Sequence, residues 1–407
     1  MSAADVARFR DQARSWLERN AGRYAAGTGQ RAPDAGGATG RAAQVAEARE
    51  FQARLYESGF AGITVAEEFG GRGLTDDHEL AFESEAARYR LPSALLGVSV
   101  NIIGGTILAF GSDQQRVRHM PRILAGHEVF VQLLTEPSGG SDLASLLTRA
   151  DADGEVFRLT GQKTWSTGAA EADFALCPAR TDWKAPKHRG ITMFIVDLKA
   201  PGVDIREIRQ IDGAADFCEE FLTDVVIPAA NVLGSVNGGW QVVRGLLEIE
   251  HKWSGRHNTG RREIGTAASL LELAASRRLL TDPAVRREIA ALHIRIRGHA
   301  ALTARLARQM ADGRAEPGMG GLLKLSSDEL TQTRAELGLR LAGPAALGWA
   351  DGSPAGRFAH DFLNSRSASI AGGSDEIQRN NVGERGLGLP REPSVDTGVP
   401  FDQVPHN

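Results

Sequence analysis

Cysteine is nearly missing from this 407-residue chain: Cys177 and Cys218 are the only two. That is too few for a disulfide scaffold or a cysteine-rich zinc cluster, and both sit in strand-like apolar segments, where they read as buried small hydrophobes. The ten histidines are scattered without metal-ligand spacing, so no metal site is expected. No basic run occurs and the net charge is −4, which argues against a nucleic-acid partner, whose affinity would rest on phosphate neutralisation. A small anionic ligand needs only local positive potential and is not excluded. Long apolar runs are absent as well: the stretch 95–110 is broken by Asn101, Gly104 and Gly105 and falls short of a membrane span. Asp5, Asp11 and Glu18 interrupt the arginine-bearing N-terminal pattern, so neither a signal nor a transit peptide fits and a cytoplasmic location is expected. Phosphate-loop, dinucleotide, zincin and hydrolase-elbow motifs (G-x-x-x-x-G-K-[ST], G-x-G-x-x-G, H-E-x-x-H, G-x-S-x-G) do not occur.

What is present is an ordinary globular composition, 42% hydrophobic and 24% charged, in a chain long enough to bury a sizeable core over two or three domains. Helical spacing marks 6–24 (Phe9, Ala13, Trp16, Leu17), 42–58, 76–89, 91–111 and 113–125, with loops at 27–40 and 60–75. Short segments of strand preference follow at 155–159, 174–179, 191–197, 203–209 and 219–227. Long helical patterns return at 240–254, 263–279, 283–313, 320–341 and 355–384, and Pro390 stops the last. The expected class is α+β: an N-terminal helical domain over 1–130, a middle β domain over 131–237, a C-terminal helical bundle over 238–390 and an extended tail over 391–407.

Three stretches carry candidate chemistry. The first, 132–142 (QLLTEPSGGSD), places the Thr135 and Ser141 hydroxyls around a Gly139-Gly140 pair, where a ligand could approach backbone N–H groups. The second, 161–168 (GQKTWSTG), adds an aromatic face, Trp165, beside the Thr167 hydroxyl. Taken singly, each reads first as an ordinary glycine-rich hairpin turn. On the helix 240–254, Val243, Leu246, Leu247 and Glu250 share a face, so a carboxylate stands in an apolar stripe. Desolvation there would raise its pKa and make it a proton acceptor, unless it pairs with an arginine elsewhere. Arg244, Glu248 and Lys252 on the opposite side form a solvated ladder with no assigned chemistry. The third stretch, 371–389 (AGGSDEIQRNNVGERGLGL), is a Gly-Gly-Ser turn opening a helix: either donors for an electron-rich ligand edge or a plain cap made by Ser374.

The order of QLLTEPSGGSD, GQKTWSTGA, FCEEFLTDVVIPAANVLG and AGGSDEIQRNNVGERGLGLP, with NIIGGTILAFGSDQQ and PRILAGHEVF ahead of them, closely resembles the acyl-CoA dehydrogenases. The resemblance runs through about residue 391. It implies that family's fold, an N-terminal helical domain, a middle β-barrel and a C-terminal four-helix bundle, and its cofactor, FAD. Gln132, Leu134, Thr135, Gly140 and Ser141 would line the flavin, with Thr135 bonding the isoalloxazine edge and Gly140-Ser141 turning between flavin and acyl-CoA. Trp165, Ser166 and Thr167 would pack against or bond the ring near N5, and Ser374, Asp375 and Glu376 would lie along the adenine-dinucleotide part. Ser374 stands where the family usually has Thr.

The implied reaction is α,β-dehydrogenation of an acyl thioester, acyl-CoA or alternatively a carrier-protein thioester, to the trans-2-enoyl product. A carboxylate takes the α-proton, the β-hydrogen leaves as hydride to flavin N5, and enolate character at the thioester is stabilised electrostatically. The family's commoner base position falls on Gly372, which cannot serve. Its alternative, used by isovaleryl and long-chain types, counts from Gly239 onto Glu250. His251 follows where Arg is usual, in the part that anchors substrate or CoA.

Two departures concern the adenosine half. The family's Arg-x-x-Phe-Gly segment is missing from AASRRLLTDPA near 275–285, where Arg277 or Arg278 could substitute in part, and a Gln near Leu-Gly-Gly is missing from GLRLAGP at 338–344. Electron-transfer flavoprotein or a similar acceptor and a homo- or hetero-oligomer, dimer or tetramer, are the implied partners. Alternatives on the same scaffold are a non-catalytic or half-site subunit of a heteromeric dehydrogenase and a flavin monooxygenase.

Overall fold

In the computed structural model, residues 3–25, 37–261, 267–314, 316–348, 354–394 and 396–404 are described. They form two compact units, Met1–Trp253 with Asp396–Asn407, and Ser254–Val395.

The first unit begins with helices α1 (Ala3–Asn20), α2 (Gly37–Glu57), α3 (Asp76–Ala86), α4 (Gly104–Phe110) and α5 (Asp113–Leu124). The i, i+4, i+7, i+8 spacing of Phe9, Ala13, Trp16 and Leu17 buries all four against Phe51, Phe60 and Leu91. Ser112 starts α5 with a reciprocal capping box, its hydroxyl accepting from the Gln115 N–H and the Gln115 side chain accepting from the Ser112 N–H. Ahead of α4, residues Val98–Ile103 make a π-helical turn.

One mostly antiparallel sheet follows: β1 (Phe130–Gln132), β2 (Arg149–Asp153), β3 (Val156–Thr167), β4 (Phe174–Arg180), β5 (Ile191–Asp197), β6 (Val203–Ile208), β7 (Phe217–Pro228) and β8 (Val232–Leu233). Strand order is β6-β7-β3-β2-β4-β5-β8, with β1 parallel to β4. Period-two alternation turns Cys218 and Leu222 inward and, past the register shift between Leu222 and Val225, Val225 and Ile227, against Phe157, Leu159, Phe194 and Val196. Both cysteines are buried and free, as the composition implied. Helix α6 (Gly239–Arg261) then packs Val242, Val243 and Leu246 against Ile102, Ile103 and Ile107.

The second unit holds α7 (Ala267–Ser276), α8 (Pro283–Ala311), α9 (Met319–Ala342), α10 (Pro354–Asn364) and α11 (Asp375–Asn381), around Leu270, Ile289, Leu292, Leu330, Leu337 and Phe358. The order helical, β, helical is the one expected from the sequence.

Several local expectations need correction. The stretch 161–168 is not a turn but the second half of β3, a twelve-residue strand hidden by its Gly, Ser and Thr content. Register irregularities at Leu159/Gly161 and Thr164/Ser166 are what the turn-like composition encodes. Strands β1, β2 and β8 were not anticipated: β2 reads RADAD, and pairing with β3 overrides its low strand preference. The pattern at 355–384 is broken into α10, a 3₁₀ turn at Ser365–Ser369 and α11, because Gly372 and Gly373 take left-handed φ of 70° and 85°. Most of the loop placed at 27–40, and the start of the helix placed at 263–279, lie outside the described residues; α2 already begins at Gly37.

Candidate active site

The two glycine-rich stretches, apart in sequence, meet in the sheet. The Thr164 N–H donates to the Thr135 carbonyl at 2.9 Å, and Lys163 Nζ reaches the Leu134 carbonyl at 3.4 Å. Beyond Thr135 the chain reverses at Glu136–Gly139, where the two residues exchange backbone hydrogen bonds of 3.2 and 3.0 Å. A Cβ on Gly140 would lie 3.4 Å from the Thr135 methyl, an ordinary van der Waals contact, so the backbone of Gly140 runs beside the Thr135 side chain. Gly140 and Ser141 are exposed, while Thr135, Leu134 and Gln132 are half-buried.

On the neighbouring strand, the irregularity at Thr164/Ser166 puts Trp165 at a left-handed φ of 63°. A bulky side chain there costs backbone strain that the surrounding sheet must hold in place. The consequence is an indole 56% exposed, edge-on to Phe217 at 5.7 Å, with Thr167 also exposed beyond it. Ser166 turns the other way, into the sheet, where its hydroxyl meets Glu220 Oε1. Only its backbone is left for a ligand.

Beneath this wall lies a buried charge cluster that sequence periodicity did not single out. Lys163 and Glu136 are both buried and pair at 2.8 Å, and Glu136 also accepts from the Leu147 and Thr148 N–H groups at 2.6 and 3.0 Å. Burial alone would push the Glu136 carboxyl up, but the Lys163 ammonium and these donors hold it below the usual carboxylate range. Glu220 faces Lys163 in the β3–β7 register, fully buried, with its Oε2 left without a hydrogen-bond partner. Desolvation raises it to about 7, against the opposing pull of Ser166 and Lys163. A signal existed: Cys218, Glu220 and Leu222 alternate onto one face of β7.

Glu250 stands on α6, half-buried, with the Gln132 amide donating to its Oε2 at 3.5 Å. Helix and flavin-stretch candidates therefore meet at this pair. Desolvation raises the Glu250 pKa, opposed by neighbouring His251 and by Gln132. No arginine among the described residues is paired with it. The walls near this part of α6 are apolar and close: Gly97 lies where a Cβ would come within 2.7 Å of the Trp253 ring, and Gly105 within 3.2 Å of Ile249. His251, Arg244, Glu248 and Lys252 are exposed, as the solvated-ladder reading expected of the last three.

The remaining candidates belong to the second unit. Ser374 caps α11, its hydroxyl accepting from the Ile377 N–H at 3.4 Å, with Asp375 half-buried and Glu376 exposed in the first turn. Gly372, at φ 70°, holds a conformation a glutamate would adopt only under strain, which gives a backbone reason why no base stands there. Among the described residues, no His/Cys/Asp/Glu group could hold a metal ion and no helix is long and apolar enough to cross a membrane.

Three family models match successive parts of the chain: acyl-CoA dehydrogenase N-terminal domain over 5–127, middle domain over 132–225 and C-terminal domain over 237–387. The chain belongs to the acyl-CoA dehydrogenase family. Acyl-CoA dehydrogenase IpdE1 of Mycobacterium tuberculosis is 35% identical over 392 residues, 95% of this chain and 99% of that protein. Among solved structures, the Tcur3481-Tcur3483 steroid ACAD is 25% identical, with a TM-score of 0.75 over 96% of this chain and 99% of that one. The ChsE4-ChsE5 complex from Mycobacterium tuberculosis is 25% identical, with a TM-score of 0.70 and the same coverage. The protein is thus an oxidoreductase of the acyl-CoA dehydrogenase type, and the family's members are FAD flavoproteins. An exposed indole, the Thr135, Ser141 and Thr167 hydroxyls and the open Gly140 backbone form a donor and stacking set that suits an isoalloxazine ring.

Proposed function

We propose that this enzyme dehydrogenates an acyl-CoA between Cα and Cβ, with Glu250 as the base that removes the α-proton. The observation that carries the reading is a half-buried carboxylate on an apolar helix face, hydrogen-bonded by Gln132 from the start of the glycine-rich stretch 132–142. FAD, when bound, supplies the acceptor for the β-hydrogen.

The chain's own residues do the rest. Gln132, Leu134, Thr135, Gly140 and Ser141 would line one side of the ring, Trp165, the Ser166 backbone and Thr167 the other contacts, and Ser374, Asp375 and Glu376 the dinucleotide portion. Ser141 and His251 would meet the thioester and CoA end. Desolvation makes Glu250 a stronger proton acceptor than an exposed glutamate, because burial raises its pKa. It must be ionised to act, so turnover falls in acid, with a midpoint above the ordinary glutamate range. The Glu250→Gln variant is expected to keep its flavin and lose acyl-CoA-driven bleaching of the flavin absorbance. Bleaching at the parent rate would refute Glu250 as base.

The steroid ACAD among the similar structures favours an acyl-CoA whose acyl group is bulky and alicyclic, read out with straight-chain and steroid-derived thioesters side by side. Electrons would pass on to an electron-transfer flavoprotein or a similar acceptor. A second reading draws on the missing Arg-x-x-Phe-Gly and on the ChsE4-ChsE5 complex: this chain would act as one half of a heteromer and hold FAD fully only with an unlike subunit. Flavin content of the chain purified alone separates the two readings, a full complement with turnover eliminating the second.

A further inference from the structure

The end of the chain, beyond the point where Pro390 stops the helical pattern, returns to the first unit. Phe401 is fully buried there. Its N–H donates to the Ala185 carbonyl and that of Asp402 to the Trp183 carbonyl, both at 3.0 Å. The Phe401 ring lies against Trp183 and, at 3.4 Å from its centroid, against the guanidinium carbon of Arg180.

Arg180 is itself fully buried at the end of β4 and, among the described residues, pairs with no carboxylate. Its donors go instead to three backbone carbonyls: Ala144 at 2.7 Å, Leu146 at 3.3 Å and Lys187 at 3.1 Å. A desolvated cation needs such partners, and an aromatic face is one of the few groups that can close its remaining side without a competing hydrogen bond. Ala144 and Leu146 lie just past the bend at 140–142. A second connection runs in parallel: Lys187 Nζ lies 3.1 Å from Asp142 and also pairs with Asp396, and Lys184 pairs with Asp402. Two independent contacts thus tie the tail to the segment that carries Ser141.

We propose that the tail Asp396–Val404 is a strap that positions the segment 141–146, with Phe401, Arg180 and Lys187 as positioning residues for the thioester end of the substrate. The proposal rests on the dehydrogenase reading for what that segment contacts, and on these contacts alone for the coupling. Phe401 seals Arg180, Arg180 holds the carbonyls of 144 and 146, and Lys187 bridges Asp142 to Asp396. Loosening the tail then releases Ser141 without touching Glu250.

The test compares the parent chain with Phe401→Ala, Phe401→Leu and Asp396→Asn as purified proteins. Hydrogen exchange is followed in a peptide covering 141–148, whose Ser145, Leu146, Leu147 and Thr148 amides are hydrogen-bonded. Phe401→Ala is expected to speed exchange there by about tenfold while β5 and α6 amides keep their protection, with Phe401→Leu intermediate. Asp396→Asn, which leaves the packed core intact, should speed it by a few-fold. With turnover measured on the same samples, KM for acyl-CoA should rise by about tenfold and kcat change little. Unchanged exchange in 141–148 overturns the strap, and so does a uniform loss of protection with KM unaltered. Failure of the dehydrogenase reading looks different: the parent chain would not turn over acyl-CoA, while the exchange comparison would still decide the strap.

Discussion

Replacing Glu220 by glutamine tests the buried cluster of Lys163, Glu136 and Glu220. The parent carboxyl is fully buried, faces Lys163, contacts Ser166 and leaves Oε2 unpartnered, and its pKa stands at about 7 against an ordinary 4.5. Folding therefore favours the protonated form. The folded state holds this proton more tightly than the unfolded chain, so the group's contribution is most favourable below pH 4.5, declines as pH rises from 4.5 to about 7, and is flat above. The whole interval corresponds to about 3 kcal/mol, most of which is lost between pH 5 and pH 8. Glutamine keeps the shape and a hydrogen bond to Ser166 but cannot ionise. The Glu220→Gln variant should therefore gain on the parent by about 2–3 kcal/mol between pH 5 and pH 8. The assay is denaturant unfolding of both proteins at pH steps across that range, with the slope against denaturant checked for constancy. Taking the difference between variant and parent cancels the other titrating groups. A difference that stays flat with pH would show that Glu220 is ionised throughout, and the argument from its burial would be wrong.

Two more outcomes follow from the same geometry. Removing the Gln132 amide, as in Gln132→Leu, deletes a donor that favours the charged form of Glu250; the acid limb of the kcat profile should move to higher pH, and a limb that stays or moves lower would count against the contact. Glu136→Ala would leave Lys163 buried without its carboxylate and free the Leu147 and Thr148 amides. A loss of about 3–5 kcal/mol in unfolding free energy is expected, and a loss under 1 kcal/mol would show that water or another group reaches Lys163.

Much of this was legible in the chain itself, and for identifiable reasons. Helical period exposed Glu250 because a carboxylate at i+7 from Val243 breaks an apolar stripe whatever else the helix touches. The family resemblance came to the same residue by counting from Gly239. What resisted reading was wherever partner strands outvote local composition. GQKTWSTG has the residues of a turn, yet ten register pairs to β7 make β3 a strand, and the turn-like residues record irregularities that swing Trp165 outward. Glu220 was within reach of period two, but its meaning depended on Lys163 lying opposite it across β3 and β7. Motif position groups Ser166 with Trp165 and Thr167, while the fold points its hydroxyl inward to Glu220.

By itself, then, the sequence determined the three-part helical, β, helical order, the family, the base candidate and the exclusion of disulfide chemistry, because these follow from period, composition and motif order along one chain. Tertiary structure decided which side of the sheet each hydroxyl faces, the buried cluster of Lys163, Glu136 and Glu220, the Gln132 contact to Glu250 and the return of Phe401 onto Arg180. Each of these joins residues from 27 to more than 200 positions apart. Their energies come from desolvation and geometry at the meeting point, which no local pattern encodes.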